Sequence, residues 1–386
     1  MKKNYYLEFV RGSAALLVLI THFVILHPVL NKMGLNLFAN WGTESVMIFF
    51  ILSGLVIGLS QHKNPKSRNV FLLNRIVRLF PQFIIGILLA IGAFILLQKQ
   101  IPIFKTIVGN IFMLSTLQGY LFETFITNSP IWSLTFEMFF YFIFACSISK
   151  YHVTFIFAWF VISLISIPLY FLKLDNFLLQ HILAMLSFSS IWLLGYFIYR
   201  YRSIFTVNIY TAIFSISLLP LVSRLHFSNE IYDPFKFFIF AIISIPFFQY
   251  CIQERRLGKE IKFIYIFTVY IVLLFLLAYL SNARLYSKVL YAALPIISIL
   301  FYKGLQYLGF SNTLKSMINQ FGSTMGKYSF SIYIIHFPIL FVLATWVTNP
   351  ILFLTLSLFI VGIFAFILEN YFQKNIFLLF IKWQKK

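Results

Sequence analysis

Apolar runs of membrane-crossing length recur along the chain, at 6–30, 43–60, 79–98, 131–149, 153–172, 177–199, 205–223, 235–252, 262–280, 287–305, 328–348 and 351–372, with short polar connections between them. A run of about 20 apolar residues can satisfy its own backbone in lipid only as a helix. A membrane barrel would instead show alternating strands of about ten residues, and the chain has none. The pattern therefore predicts an all-α polytopic transmembrane helix bundle with twelve crossings and both termini on one side. The count falls toward ten if short links such as "SISKYHV" join re-entrant helices rather than spanning ones. One further run, 103–121, would put the following basic loops on the wrong side if it crossed, so it is expected to lie as a re-entrant or interfacial segment at the outer face. No Gly/Ser/Pro-rich linker, charged soluble block or internal repeat interrupts the chain, so residues 1–386 read as a single membrane domain. The longest connection, 303–327, is too short for a soluble catalytic domain, which confines any chemistry to the bundle or its rims.

Composition agrees with the pattern. The 386 residues are 61% hydrophobic and only 10% charged, with a mean hydropathy of +0.91, whereas soluble domains are about a quarter charged. A net charge of +20 raises nucleic acid as a partner. The positions of the charges argue against it: "HKNPKSRN", "RYR", "QERRLGKEIK" and "WQKK" each flank an apolar run, the positive-inside arrangement. With the N-terminus in the cytoplasm, 22 of the 30 Lys and Arg fall on the cytoplasmic side. Glu8 and Arg11 interrupt the first apolar run and no A-x-A-like site closes it, so 6–30 is expected to be a retained helix, not a cleaved signal peptide. Cys146 and Cys251 lie inside apolar runs and suggest neither disulfide nor zinc site, and no HExxH-like metal spacing occurs.

The informative residues are the ionisable ones in apolar surroundings. In "LEFVRGSAALLVLITHF", Glu8, Arg11 and His22 project within about 60° of one another on an ideal helix. A charged group at the bilayer centre costs roughly 2.5–3.5 kcal/mol or more, so such a stripe implies a wet cavity or a polar interior. A rim ion pair would account for Glu8 and Arg11. His22, about 21 Å of helix beyond Glu8, is too deep for that, which leaves a structural hydrogen bond as its plain alternative. Arg75 and Arg78 stand one turn apart before the third run, where they are either membrane anchors or an anion clamp whose guanidinium forks suit phosphate. Glu137, in "SPIWSLTFEMFFYFIF", is expected in the outer half of its helix, with Ser133 and Tyr141 on the same side. His336 is expected in the inner half of the membrane, with Pro338 two residues later and Ser329 on nearly the same face. The remaining histidines fall near loops and receive no role.

These motifs resemble, in order, those of the acyltransferase-3 family of integral membrane O-acyltransferases. The first-helix stretch carries Arg11 and His22 ten residues apart, "FFILSGLVIG" is similar to the second-helix signature, and "RIVR" at 75–78 to an R-x-x-R element. "IWSLTFEMFFY" is similar to W-S-L-x-x-E, and "YSFSIYIIHFP" to a late helix ending in H-x-P. Glu8 replaces the usual Asp, and the late Y-x-x-x-E-K-P element is poorly kept in "LENYFQKNIF", so Glu369 receives no role. The resemblance implies a multi-pass protein of a bacterial cytoplasmic membrane and a stand-alone form without a fused soluble domain. It also implies a cytoplasmic acyl-CoA donor, most often acetyl-CoA, and a glycan or lipid-linked glycan acceptor at the outer face. On that basis Arg75 and Arg78 hold the phosphates of coenzyme A. His22, oriented by Glu8 or Arg11, is general base or transient acyl carrier, and Glu137 and His336 position the acceptor or relay the proton. The competing reading is a proton-coupled transporter or flippase using Arg11, His22, Glu137 and His336 as its path. The R-x-x-R clamp, which an exporter does not need, favours the enzyme. Aromatic residues at the outer rim, Trp41, Tyr120, Trp132 and Trp346, suit a sugar but equally form the belt of any membrane protein.

Overall fold

The computed structural model describes residues 4–32, 41–148, 152–228, 232–253, 259–260, 263–280 and 285–384. Its helices are α1 Tyr5–Leu26, α2 Pro28–Lys32, α3 Gly42–Lys63, α4 Arg68–Gln98, α5 Phe104–Ile111, α6 Trp132–Ser147, α7 His152–Tyr170, α8 Phe177–Arg200, α9 Ile209–Val222, α10 Pro234–Ile252, α11 Phe263–Leu280, α12 Leu285–Tyr307, α13 Ser311–Trp346, α14 Pro350–Ile367 and α15 Lys374–Gln384. Among the described residues ten helical stretches are long and apolar enough to cross a membrane. The all-α multi-pass bundle is therefore the fold.

Local chemistry sets several helix starts. Asn4 accepts from the amides of Tyr6 and Leu7 to open α1, and Asn176 and Asn208 cap α8 and α9 in the same way. Asp233 and Asn349 cap α10 and α14, each followed by proline at the first helical position, where no amide hydrogen is needed.

Some boundaries differ from those the hydropathy predicts. Helix α4 begins at Arg68 and α13 at Ser311, so each extends well ahead of its apolar run. A helix of 31 residues is about 46 Å long against a hydrocarbon core of about 30 Å. The polar overhang stays helical because nothing in it breaks the backbone ladder. Helix α9 has only 14 residues, short for a crossing. The predicted span at 351–372 ends in a π-helical turn, Leu368–Gln373. The run at 103–121 does not cross: α5 is eight residues long, and Asn110 ties it to the following loop, donating to the Glu123 carbonyl and accepting from the Ser115 hydroxyl. Ile101, Ile103, Phe104 and Phe112 remain exposed beside it, an apolar rim suited to the bilayer interface.

The most extensive contact joins α1 to α13. The two run parallel: Glu8 packs on Gly326 near one end, and His27 Nε2 lies 3.2 Å from the Val347 carbonyl at the other. Their approach depends on Gly322 and Gly326, a G-x-x-x-G pair. A Cβ at Gly322 would lie 2.7 Å from the Tyr5 carbonyl oxygen, and one at Gly326 2.5 Å from a Glu8 carboxylate oxygen. Helices α3 and α8 meet as closely, since a Cβ on Gly54 would fall 2.0 Å from the Trp192 carbonyl oxygen.

Candidate active site

Helices α1, α3, α4, α6 and α13 enclose a cavity of about 730 Å³, mouth included, in the half of the bundle that carries the N-terminus. Arg11, Arg75 and Arg78 all line it. Arg11 is paired with Glu8 at 2.7 Å, one turn back on α1. The Arg75 guanidinium carbon stands 5.3 Å from the ring centre of Phe71 and 5.5 Å from that of Tyr141, and its buried Nε meets no hydrogen-bond acceptor in the protein. Glu137 accepts from Ser53 Oγ at 3.2 Å and from the Tyr141 hydroxyl, and Trp192 Nε1 donates to Ser53. Three guanidiniums thus share the space with one carboxylate at its wall and one behind it. The surplus positive charge, in walls that are mostly apolar, suits an anion.

A second cavity of about 1010 Å³ opens at the opposite end of the same helices, among the end of α1, the start of α3, the start of α10 and the Ser129–Trp132 segment. His22 is half-buried in its wall, and its Nδ1 lies 3.0 Å from Nε2 of His336 on α13. The tautomers follow from the partners. His336 Nδ1 faces the carbonyls of Tyr333 at 2.8 Å and Ile332 at 3.1 Å, which only accept, so it carries the hydrogen. In the neutral ring Nε2 is then the acceptor and His22 Nδ1 the donor, leaving the lone pair on His22 Nε2 available to a substrate. Opposite stands an ion pair between Glu44 and Lys236 at 3.3 Å, 3% and 7% exposed respectively. His226, in the loop before α10, lines the same cavity. Its partial burial, then the charge of Lys236, hold its imidazole below the ordinary pKa.

Tyr333 borders both cavities. Its hydroxyl is 2.7 Å from Ser133 Oγ and donates to the Pro130 carbonyl, which fixes the ring where the two cavities meet.

The family model for the acyltransferase domain of the acyltransferase-3 type matches residues 4–369, nearly the whole chain. The chain belongs to the acyltransferase-3 family. Searches of curated proteins and of solved structures return no match.

Within this acyltransferase-3 domain, Arg11, Arg75, Arg78 and Glu137 are brought to one cavity, and His22 and His336 to the border of the other. Three expectations are corrected. Glu8 and Arg11 do not orient His22: at least 11 residues of helix, about 16 Å, separate them, beyond the reach of either side chain. His336 does so instead. Glu137 is not in the outer half, because a 3-10 turn, Ile126–Ile131, leads the chain inward before α6 and brings the carboxylate level with the arginines. His336 is not in the inner half but level with His22, and it is fully buried, so it touches His22 rather than the cavity.

Sequence reasoning missed Glu44, Lys236, Ser53 and Tyr333. Glu44 and Lys236 were legible as charged residues just inside apolar runs, but at helix starts they resemble rim groups. Tyr333 carries no signal beyond its place three residues before His336. Glu369 accepts from Gln82 and Ser331, tying the π turn to α4 and α13. Among the described residues no group of three or more His, Cys, Asp or Glu could hold a metal ion.

Proposed function

We propose that this acyltransferase moves an acyl group, acetyl in the simplest case, from cytoplasmic acyl-CoA to a hydroxyl of a cell-surface or exported glycan. The observation that carries the reading is the pairing of an arginine-lined cavity on the N-terminal side with a histidine-edged one on the far side, joined at Tyr333. Arg75 and Arg78, with Arg11 held by Glu8, take the phosphates and leave the thioester pointing along α13 toward Tyr333. Glu137 fixes Tyr141 under Arg75 and so sets the clamp's shape. The acceptor enters the far cavity, where Glu44, Lys236 and hydroxyl side chains offer the hydrogen bonds a sugar needs.

His22 Nε2 then takes the proton of the acceptor hydroxyl as its oxygen bonds to the thioester carbonyl carbon. The carbon–sulfur bond breaks, and the sulfur leaves as thiolate and recovers the proton from His22. His336 keeps His22 in the tautomer this step requires. Positioned general bases typically contribute about 10²–10⁴-fold. The arginine clamp on the N-terminal side, which an exporter does not need, favours this enzyme reading over a transporter.

The test is transfer of labelled acetyl from acetyl-CoA to surface glycan in membranes carrying wild type or His22→Ala at matched protein levels. Label with the wild type and about 10²-fold less or none with the variant is expected. Equal labelling would remove His22 from the chemistry, and no labelling by either would remove acetyl-CoA as the donor.

A further inference from the structure

A third cavity, about 850 Å³, opens on the N-terminal face between the ends of α3, α6 and α8. It adjoins the arginine-lined cavity along two helices: Ile57 and Tyr141 line that one, whereas Gly58 and Phe144, the next positions or turn toward the face, line this one. Its cations are Lys66, Arg200 and Arg202, and none of the described residues that line it is acidic. Lys66 is held in place by its backbone, with Gln61 bonding both its amide and its carbonyl. Partial burial and the charge of Arg75 both lower the Lys66 pKa, as befits an ammonium that lacks an anion. Arg202 stacks 4.2 Å over the Tyr199 ring, and His62 stands edge-on to the same ring. Cations gathered beside an aromatic wall suit a ligand that is both phosphorylated and planar.

We infer that this cleft binds the nucleotide phosphate end of the acyl donor, with Lys66 and Arg200 as its phosphate contacts and the Tyr199–His62 wall beside its base. The inference rests on the donor assignment above. It divides that donor between two sites, with the arginine cavity taking the diphosphate and pantetheine arm. A phosphate could equally come from an anionic lipid headgroup at this face, but the aromatic wall and the continuity with the arginine cavity favour the nucleotide.

The probe is adenosine 3′,5′-bisphosphate, titrated against the purified full chain in phosphatidylcholine nanodiscs with and without phosphatidylglycerol, as wild type and as Lys66→Gln/Arg200→Gln. Binding to the wild type that phosphatidylglycerol does not displace, weakened about a hundredfold in the double variant at roughly tenfold per charge-assisted contact, is expected. The KM for acetyl-CoA should rise by a similar factor while transfer from acetyl-pantetheine, which lacks the nucleotide, stays unchanged. Equal binding by both proteins, or displacement by phosphatidylglycerol, overturns the inference. If the wild type binds the bisphosphate through these residues yet transfers acetyl from neither donor, the donor assignment fails and the cleft stands as a nucleotide site.

Discussion

His22 and His336 lie 314 positions apart in sequence and 3.0 Å apart in space. Each alone is an ambiguous buried imidazole; together they fix which nitrogen is bare. His336→Ala removes the imidazole facing His22 Nδ1 and leaves only the Val18 carbonyl, one turn back, to hold that tautomer. Turnover should fall about 10²-fold with little change in the KM for donor, while the pH profile of transfer shifts. Loss of packing alone would lower the amount of folded protein without moving that profile, so the two measurements separate positioning from structure. Sequence made the unusual residues legible, since ionisable groups in apolar runs stand out. It did not reveal their partners, because pairing depends on which helices touch. Arg11, Arg75 and Arg78 were legible as residues of two separate motifs, whereas their meeting in one cavity beside Glu137 and Tyr141 had to come from the packed bundle.

At the scale of helices, hydropathy located the apolar centre of most elements and misjudged ends. Polar residues 68–78 and 311–327 continue helices whose apolar parts begin later, because a helix leaving the bilayer loses lipid contact without losing its hydrogen bonds. The glycines on α13 explain how close α1 comes, and they yield a direct expectation. Gly326→Leu drives a side chain into the Glu8 carboxylate and the α1 backbone. Overpacking typically costs about 1–3 kcal/mol, so the purified variant should melt at a lower temperature than wild type. Arg11, anchored by Glu8, should be displaced as well, weakening donor binding beyond what the melting shift explains. A variant with unchanged melting temperature and donor affinity would show that the two helices are not held at this separation.

For the whole molecule, the two faces differ in charge and in chemistry. The basic overhangs, the arginine cavity and the third cleft share the N-terminal face, and the histidine-edged cavity opens on the other. The positive-inside bias predicts that the basic face lies in the cytoplasm. In intact cells, with Cys146 and Cys251 replaced by Ser, a membrane-impermeant maleimide should label Lys99→Cys, at the far end of α4, and spare Lys63→Cys, at the end of α3. The opposite result would invert the orientation and the direction of transfer with it.

Tyr333 has a meaning outside catalysis. An energised membrane stores work as a proton gradient, and a continuous column of water through one protein would discharge it. Two cavities that share a lining residue lie on the line such a column would take. The shared residue is a phenol hydrogen-bonded to one serine and one proline carbonyl. If acyl transfer runs between the two cavities as proposed, the insulation of the bilayer depends on how that one side chain is held.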